Sequence, residues 1–465
     1  MKLIKVYVKK LLFRYSYRLE FRNNITIIHA PNGRGKSMLL KLIKAVINEE
    51  YEEINEIPFE SLNLYFDNGD FIFVKKMIFK DKNQRDSSNI SKLFFEVCKH
   101  GEIYNFEVNL VQKLRDIDNS DLIIPGIRRA GPSHLYDEYS RQFLTSKRLI
   151  KLYGNNRKLF NFDYTFNVNE IDDVEELLEN NKEEEARSLD FIKNTFLNED
   201  FKVNMVETDR LYLNKESNTL AIGIYANEIR RKLSKLLGEY ADLSQSLEKT
   251  FPLRLLESME SIETLDRNEI LEKLVYQFEE RDVLTKLGLL ETDSFDDEIV
   301  KIINREELKD SFLQVLNLYL EDSEKKLKVF EEMKIRVNLF LKILNNRFYD
   351  KEISLSKKDG FKIIFSDTKK ELEKFYQLSS GEQHSIVLMF KLLLDDDFEE
   401  IDMVFIDEPE LSLHIDWQMS FLEELEEISF VTGKNFVIAT HSPEIVNDRY
   451  DLLNLLNPLN EEELK

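Results

Sequence analysis

Apolar and polar residues alternate from the first residues of the chain onward. Leu3 to Val8 and Leu19 to Phe21 read as strands, and Ile25 to Ala30 is a continuous apolar, β-branched run of the kind a fully buried strand shows. A glycine-rich segment follows at once, and Ser37 to about Asn48 takes up helical spacing. Leu62 to Phe66 and Phe71 to Val74 flank Asp67-Asn68-Gly69-Asp70, whose Asn-Gly pair predicts a tight hairpin, and alternation continues through Tyr104 to Leu110. Residues 1–115 therefore read as a β-rich lobe.

The middle of the chain changes period. Ile229, Leu233, Leu236, Tyr240, Leu243 and Leu247 are spaced 4, 3, 4, 3, 4, which is a heptad seam, and Pro252 is expected to stop or kink that helix. A second helical run is expected over about Arg305 to Asn346, with Phe330, Met333, Val337, Phe340 and Leu344 on one side. Unbroken, it would reach roughly 60 Å. Two such helices fit either a short antiparallel arm or a compact helical domain. Alternation resumes from Lys351 to Phe365 around Asp359-Gly360, which predicts a hairpin. Residues 116–350 are thus a mostly helical insertion between residues 1–115 and 351–465.

Four segments carry chemistry. Ala30-Pro31-Asn32-Gly33-Arg34-Gly35-Lys36-Ser37 sits where a phosphate-binding loop must, after a buried strand and opening a helix. Asn32, Gly33, Arg34 and Gly35 supply a loop whose N–H groups turn inward, Lys36 would reach the β- and γ-phosphates, and Ser37 would give its hydroxyl to magnesium. The usual first glycine of that pattern is Ala30 here. Met403 to Ile406 is a buried strand that ends in Asp407 and Glu408, the first placed to hold Mg2+ through water and the second to position and deprotonate an attacking water. Leu378-Ser379-Ser380-Gly381-Glu382-Gln383 opens an apolar helix, where Ser379 or Ser380 with Glu382 also has the form of a plain helix cap. His441 ends the apolar run Asn435 to Thr440.

Leu378 to Gln383 resembles the signature of ABC-type ATPases. Leu378 precedes Asp407 by 29 residues and Asp407 precedes His441 by 34, room for the helices and return strands that such a head needs. The resemblance implies an α/β P-loop head of ABC type with a β-rich N-terminal lobe and a coiled-coil-like insertion. It implies that Ser379, Ser380, Gly381 and Glu382 contact the γ-phosphate held by an opposite copy, that Pro409 to His414 is the D-loop, and that His441 is the switch histidine. ATP and Mg2+ are the expected ligands, hydrolysis to ADP and phosphate the expected reaction, and Glu408 and His441 the expected catalytic pair.

The wording LSSGEQHSIVLMFKLL, VFIDEPELSLHIDWQ and FVIATHSPEIVNDRYDLL looks like a bacterial branch of RecF/SMC/OLD-like ATPases, with Tyr225 to Leu256 adding to the likeness. It is similar to the ATPases of antiphage operons, the Septu type (PtuA, beside an HNH nuclease) and the PARIS type (beside a Toprim nuclease). A homo-oligomer that holds or releases a partner effector nuclease is the implied function. The residues after His441 leave no room for a Toprim domain of the OLD kind, so no nuclease of its own is expected. Zinc-hook relatives need CxxC, which the single cysteine, Cys98, does not supply. Val203 to Leu211, with Asp209, stands where a Q-loop is expected, and Phe13, Arg14 and Tyr15 are candidates for the adenine.

Composition narrows the partners. Lys+Arg 65 against Asp+Glu 88 gives a net charge of −23, which excludes a protein that coats nucleic acid with its whole surface. A local DNA contact fits the basic island of Arg128, Arg129, Arg141, Lys147, Arg148, Lys151, Arg157 and Lys158, and with it an alternative function as a RecF-like DNA repair or sensing ATPase. The acidic run Asp172 to Glu185 reads as a solvated face. One cysteine and no long apolar span point to a cytoplasmic chain without a membrane helix. A transporter subunit does not fit the long stretch inserted between Lys36 and Leu378.

Overall fold

The computed structural model describes residues 1–22, 24–80, 89–110, 127–129, 134–137, 142–145, 165–167, 201–207, 212–214, 219–260, 266–290, 310–372 and 375–459. Its first elements are β1 (Leu3–Leu11), β2 (Tyr15–Glu20), β3 (Ile25–His29), α1 (Lys36–Ile47) and α2 (Tyr51–Glu56). β4 (Ser61–Phe66), β5 (Phe71–Lys80), β6 (Asn89–Lys99) and β7 (Glu102–Leu110) form a meander that includes the expected Asn-Gly hairpin. Short strands follow: β8 (Ile127–Arg129), β9 (His134–Asp137), β10 (Gln142–Thr145), β11 (Thr165–Asn167), β12 (Val203–Glu207), β13 (Tyr212–Asn214) and β14 (Thr219–Leu220). Four helices come next, α3 (Ala221–Glu260), α4 (Arg267–Lys286), α5 (Asp310–Lys328) and α6 (Glu331–Arg347). The chain closes with β15 (Lys351–Ser356), β16 (Gly360–Phe365), α7 (Ser380–Leu393), β17 (Met403–Asp407), α8 (Ile415–Thr432), β18 (Asn435–Thr440), α9 (Pro443–Val446) and β19 (Leu453–Leu455).

Two sheets organise the head. One is antiparallel, in the order β11-β7-β6-β5-β4-β1-β2, and the other is parallel, in the order β12-β17-β18-β3-β19. The parallel strands are apolar on both faces because each face meets its own core. Met403, Phe405, Val437 and Ala439 pack with α1 and the antiparallel sheet, while Val404, Ile406, Phe436 and Ile438 pack with α3, α6, α7 and α8. Helix α1 lies between the two sheets, which is why it is apolar nearly all round, from Leu39 and Leu40 to Val46 and Ile47.

The helical region departs from the expected long runs. Helix α3 passes through Pro252 to Glu260 rather than stopping there. Proline removes one N–H and crowds the preceding turn. Around it the Thr250 hydroxyl bonds the Leu247 carbonyl at 3.2 Å, and the Arg254 guanidinium donates to the same carbonyl at 2.9 Å while pairing with Asp322 of α5. The second run is broken at Val329–Phe330 into α5 and α6. Phe330 is the physical reason: it turns into the main core, its ring 5.5 Å from that of Tyr240. Leu313, Leu316 and Leu320 of α5 then build a small separate core with Ile270 and Leu274 of α4, and α6 joins the head through Val337, Phe340 and Leu344. Arg128 and Arg129 fall on β8, whereas Arg141, Lys147, Arg148, Lys151, Arg157, Lys158, Asp209 and the acidic run lie outside the described residues.

Helix α3 rests on the β15–β16 hairpin. Gly360 turns that hairpin at φ +78, and a Cβ there would overlap the Ala226 carbonyl of α3. Gly360→Ala is therefore expected to lower stability by about 3 kcal/mol, read as a fall in denaturant midpoint; a midpoint equal to the parent would contradict this packing. Beside the same contact, burial followed by repulsion from Asp395 pushes the Glu228 carboxyl up to about 7, and burial followed by repulsion from Asp397 pushes Asp395 up to about 6. Both groups hold their protons more tightly folded than unfolded, so stability is full below the unfolded values and falls as pH rises from about 4 to about 7. Glu228→Gln should be more stable than the parent at pH 8, on the order of 2 kcal/mol, with the gain vanishing near pH 4. Parallel melting curves across that range would contradict the burial.

Candidate functional site

All strands of the parallel sheet run the same way, so their carboxyl ends share one edge. Asp407 pairs with Ala439 across β17 and β18, and Thr440 pairs with His29 across β18 and β3. That register brings the loop after β3, the acids at the end of β17 and His441 to the same edge. Glu207 pairs with Asp407, so the chain leaves β12 there too.

The loop after β3 is shaped by two glycines, Gly33 at φ +79 and Gly35 at φ +81, conformations that a side chain disfavours. At Gly35 a Cβ would also press on the Leu12 side chain at 3.2 Å. Gly35 leaves the start of α1 without a side-chain cap, so the first N–H groups of the helix have no local acceptor from that residue. Lys36 is buried and its Nζ donates to the Ala30 carbonyl at 2.8 Å, closing the loop on itself. Outside the loop, the Tyr17 hydroxyl donates to the Arg34 carbonyl at 2.8 Å, and the Arg34 guanidinium lies 5.6 Å above the Tyr15 ring. Arg14 stacks on the same ring at 5.4 Å, and Phe13 is 73% exposed. Asn32 and Gly33 are open to solvent.

Ser37 meets Asp407. Burial, against the pull of the Ser37 hydroxyl, pushes the Asp407 carboxyl above its ordinary value, with Lys41 and Lys36 also favouring its charged form. A part-buried carboxylate beside a hydroxyl is an oxygen pair suited to a hard cation that keeps several waters. Among the described residues no cluster of three or more acids, histidines or cysteines competes for such an ion. Glu408 follows at φ +46 and ψ 55, a left-handed conformation, while its N–H donates to the Ala439 carbonyl at 2.8 Å.

Ser379 caps α7 reciprocally with Glu382. The Ser379 oxygen accepts from the Glu382 N–H at 3.2 Å, and the Glu382 Oε2 accepts from the Ser379 N–H at 2.8 Å. The Ser379 side chain also hydrogen-bonds the Glu382 carboxyl, so serine and acid hold each other at the start of the helix. Although burial works against its charge, Lys351 at 2.7 Å and the Ser379 N–H hold the Glu382 carboxyl below its ordinary range. Glu382 thus faces its own helix start rather than solvent, and what it organises is the exposed pair Ser379 and Ser380, with Gly381 beside them. Helix α7 packs on the face of the parallel sheet opposite α1.

Sequence reasoning missed three supports of this site, Glu410, Lys351 and Arg347. The Glu410 carboxylate meets His441, Lys351 pairs with Glu382, and the buried Arg347 joins Ser385 of α7 at 3.0 Å and Glu424 of α8. Their partners lie at 31, 31, 38 and 77 residues' separation, beyond any local pattern.

The family profile described as an AAA ATPase domain matches residues 1–446, nearly the full chain. No curated protein matches it. Among solved structures, the chain is similar to the SMC head domain from Thermotoga maritima at 12% identity, covering 99% of this chain and 100% of that one with a TM-score of 0.33. It is also similar to an SMC head bound to the C-winged helix domain of ScpA at 10% identity, covering 100% and 99% with a TM-score of 0.35.

A left-handed non-glycine residue costs about 1–2 kcal/mol, and asparagine tolerates the conformation best. Glu408→Asn is therefore expected to raise stability by about 1 kcal/mol, read as a higher denaturant midpoint; a lower midpoint would show that the Glu408 backbone is unstrained.

Proposed function

The chain belongs to the AAA ATPase domain family, and on that premise we propose that it binds and hydrolyses ATP with Mg2+ in a site shared by two copies of itself, and that this cycle governs a partner nuclease in antiphage defence. The observation that carries the reading is the convergence of the Lys36 loop, Asp407, Glu408 and His441 on one edge of the parallel sheet. The fold is an α/β P-loop head of ABC type.

In this reading Lys36 exchanges the Ala30 carbonyl for the β- and γ-phosphates, and the uncapped start of α1 meets the same charge. Ser37 and Asp407 would hold Mg2+, which neutralises phosphate charge when bound. Glu408 orients a water and takes its proton, and His441 addresses the γ-phosphate. Ser379 stands at the start of a helix on the other face of the sheet from α1. A second copy that presents its Ser379 to this Lys36 loop completes the site, which supports a sandwich of two heads.

An HNH or Toprim nuclease remains the partner that the sequence resemblance favours. No helix among the described residues is long and apolar enough to cross a membrane.

Lys36→Ala should abolish nucleotide binding. Glu408→Gln should keep it, lower kcat by about 10²–10⁴, and accumulate an ATP-bound dimer on light scattering, and a partner nuclease is expected to copurify with the parent chain from its native host. A Glu408→Gln protein that stays monomeric with ATP and Mg2+ would sink the shared site; a chain that never binds ATP would sink the ATPase.

A further inference from the structure

The peptide between Arg34 and Gly35 is held from outside its loop by one buried side chain. Tyr17 of β2 is 1% exposed, its ring stacks on that of Tyr15 at 5.9 Å, and its hydroxyl donates to the Arg34 carbonyl at 2.8 Å. The ladder of α1 starts one peptide later, where the Leu39 N–H donates to the Gly35 carbonyl at 2.9 Å. Burial, partly offset by the Arg34 guanidinium, pushes the Tyr17 phenol up to about 12, so it keeps its proton and donates throughout the neutral range.

We infer that Tyr17 is a positioning residue that keeps the Gly35 N–H turned toward the phosphates of a bound nucleotide, and in this it rests on the proposed ATP site. A trans peptide is planar, and its C=O and N–H point opposite ways. Tyr17 draws the Arg34 carbonyl to the antiparallel sheet, so the Gly35 N–H of the same plane points away from it, toward the parallel sheet at whose edge Ser37 meets Asp407. Gly35 is what makes a latch necessary. Turning the plane over changes ψ of Arg34 and φ of Gly35, and a glycine at φ +81 passes to negative φ with no side chain to resist it. The flipped plane would present a carbonyl oxygen, which repels an anion, in place of the N–H that attracts one.

Tyr17→Phe removes the latch and little else. The buried ring stays, with its stacking on Tyr15, and so does the Arg34 guanidinium 5.6 Å above the Tyr15 ring. Only the hydroxyl that holds the carbonyl is lost.

The test uses the full-length chain. Arg34-Gly35 is the only arginine–glycine pair in the sequence, so arginine labelled with 13C at its carbonyl and glycine labelled with 15N leave a single carbonyl–amide correlation. In the parent, inorganic pyrophosphate with Mg2+ should shift the Gly35 amide proton downfield, as a new bond to an anion does. Tyr17→Phe should move the Arg34 carbonyl signal upfield and raise both the Kd for pyrophosphate and the KM for ATP about 3–10-fold, the worth of one hydrogen bond. The effect should fall on KM rather than on kcat. A Tyr17→Phe chain with parental Kd and KM, or a parent that binds pyrophosphate without moving the Gly35 amide, overturns the inference; the second outcome decides even if the variant does not fold. A parent that binds neither pyrophosphate nor ATP overturns the proposed function instead, and the Arg34 carbonyl signal still decides whether Tyr17 holds the plane.

Discussion

The registration of β17 between β12 and β18 fixes everything that happens at the carboxyl edge of the parallel sheet. This strand is bracketed by acids, Asp402 before it and Asp407 at its end. Asp402 is tied down by the Lys202 N–H, which donates to its carboxylate at 2.8 Å, and its own carbonyl accepts the Asn435 N–H at 2.9 Å. A slip by one residue, about 3.3 Å, would draw one carboxylate into an apolar layer and exchange Val404 and Ile406 with Met403 and Phe405 between two differently shaped cores. The position of Asp407 beside Ser37 is therefore set at the far end of the strand as much as at the site itself.

A second constraint acts on Ser379. Helix α3 bears on Gly360 through Ala226, and Gly360 turns the hairpin whose first residue, Lys351, pairs with Glu382. Glu382 closes the cap that shapes Ser379. Farther along α7, Ser385 accepts from Arg347, which is paired with Glu424 and lies 5.6 Å from the Trp417 ring of α8. The helical region is thus joined to the cap of α7 by packed backbone, a hairpin and one ion pair, each a short-range contact. Such a route is mechanical continuity; coupling along it requires that the hairpin have two positions that differ in energy.

Much of this was legible in the sequence because it is written locally. The loop from Ala30 to Ser37, the Asn-Gly and Asp-Gly hairpins and the apolar strands before Asp407 and His441 are contiguous patterns, and the structure has those elements in place. Helix lengths were less legible. Periodicity alone does not distinguish Phe330 as a seam residue from Phe330 as the point where the chain turns into the main core, since both demand an apolar residue at that position. Nor does any local rule predict that α3 continues through Pro252, because Arg254, which ties the helix down beyond it, pairs with Asp322 of α5, 68 residues away. Glu410 was hidden for another reason: three residues from Asp407 it reads as part of an acidic turn, and its meaning lies in a histidine two elements away.

The closed arrangement of the Lys36 loop follows from the same accounting of buried polar groups. A buried ammonium needs an acceptor, and Lys36 has one in the Ala30 carbonyl. In the proposed function a phosphate oxygen would compete with that neutral carbonyl as a charged acceptor, and charge-assisted bonds are roughly twice as strong as neutral ones. The Tyr17 hydroxyl meanwhile holds the Arg34 carbonyl outside the loop, so the exchange at Lys36 needs no unfolding of the turn around it. In a chain of net charge −23, the attraction of a triphosphate to this edge must be local. The proposed site would supply it through Lys36, Lys41 and the open helix start, set against Asp407, whose burial disfavours its charge.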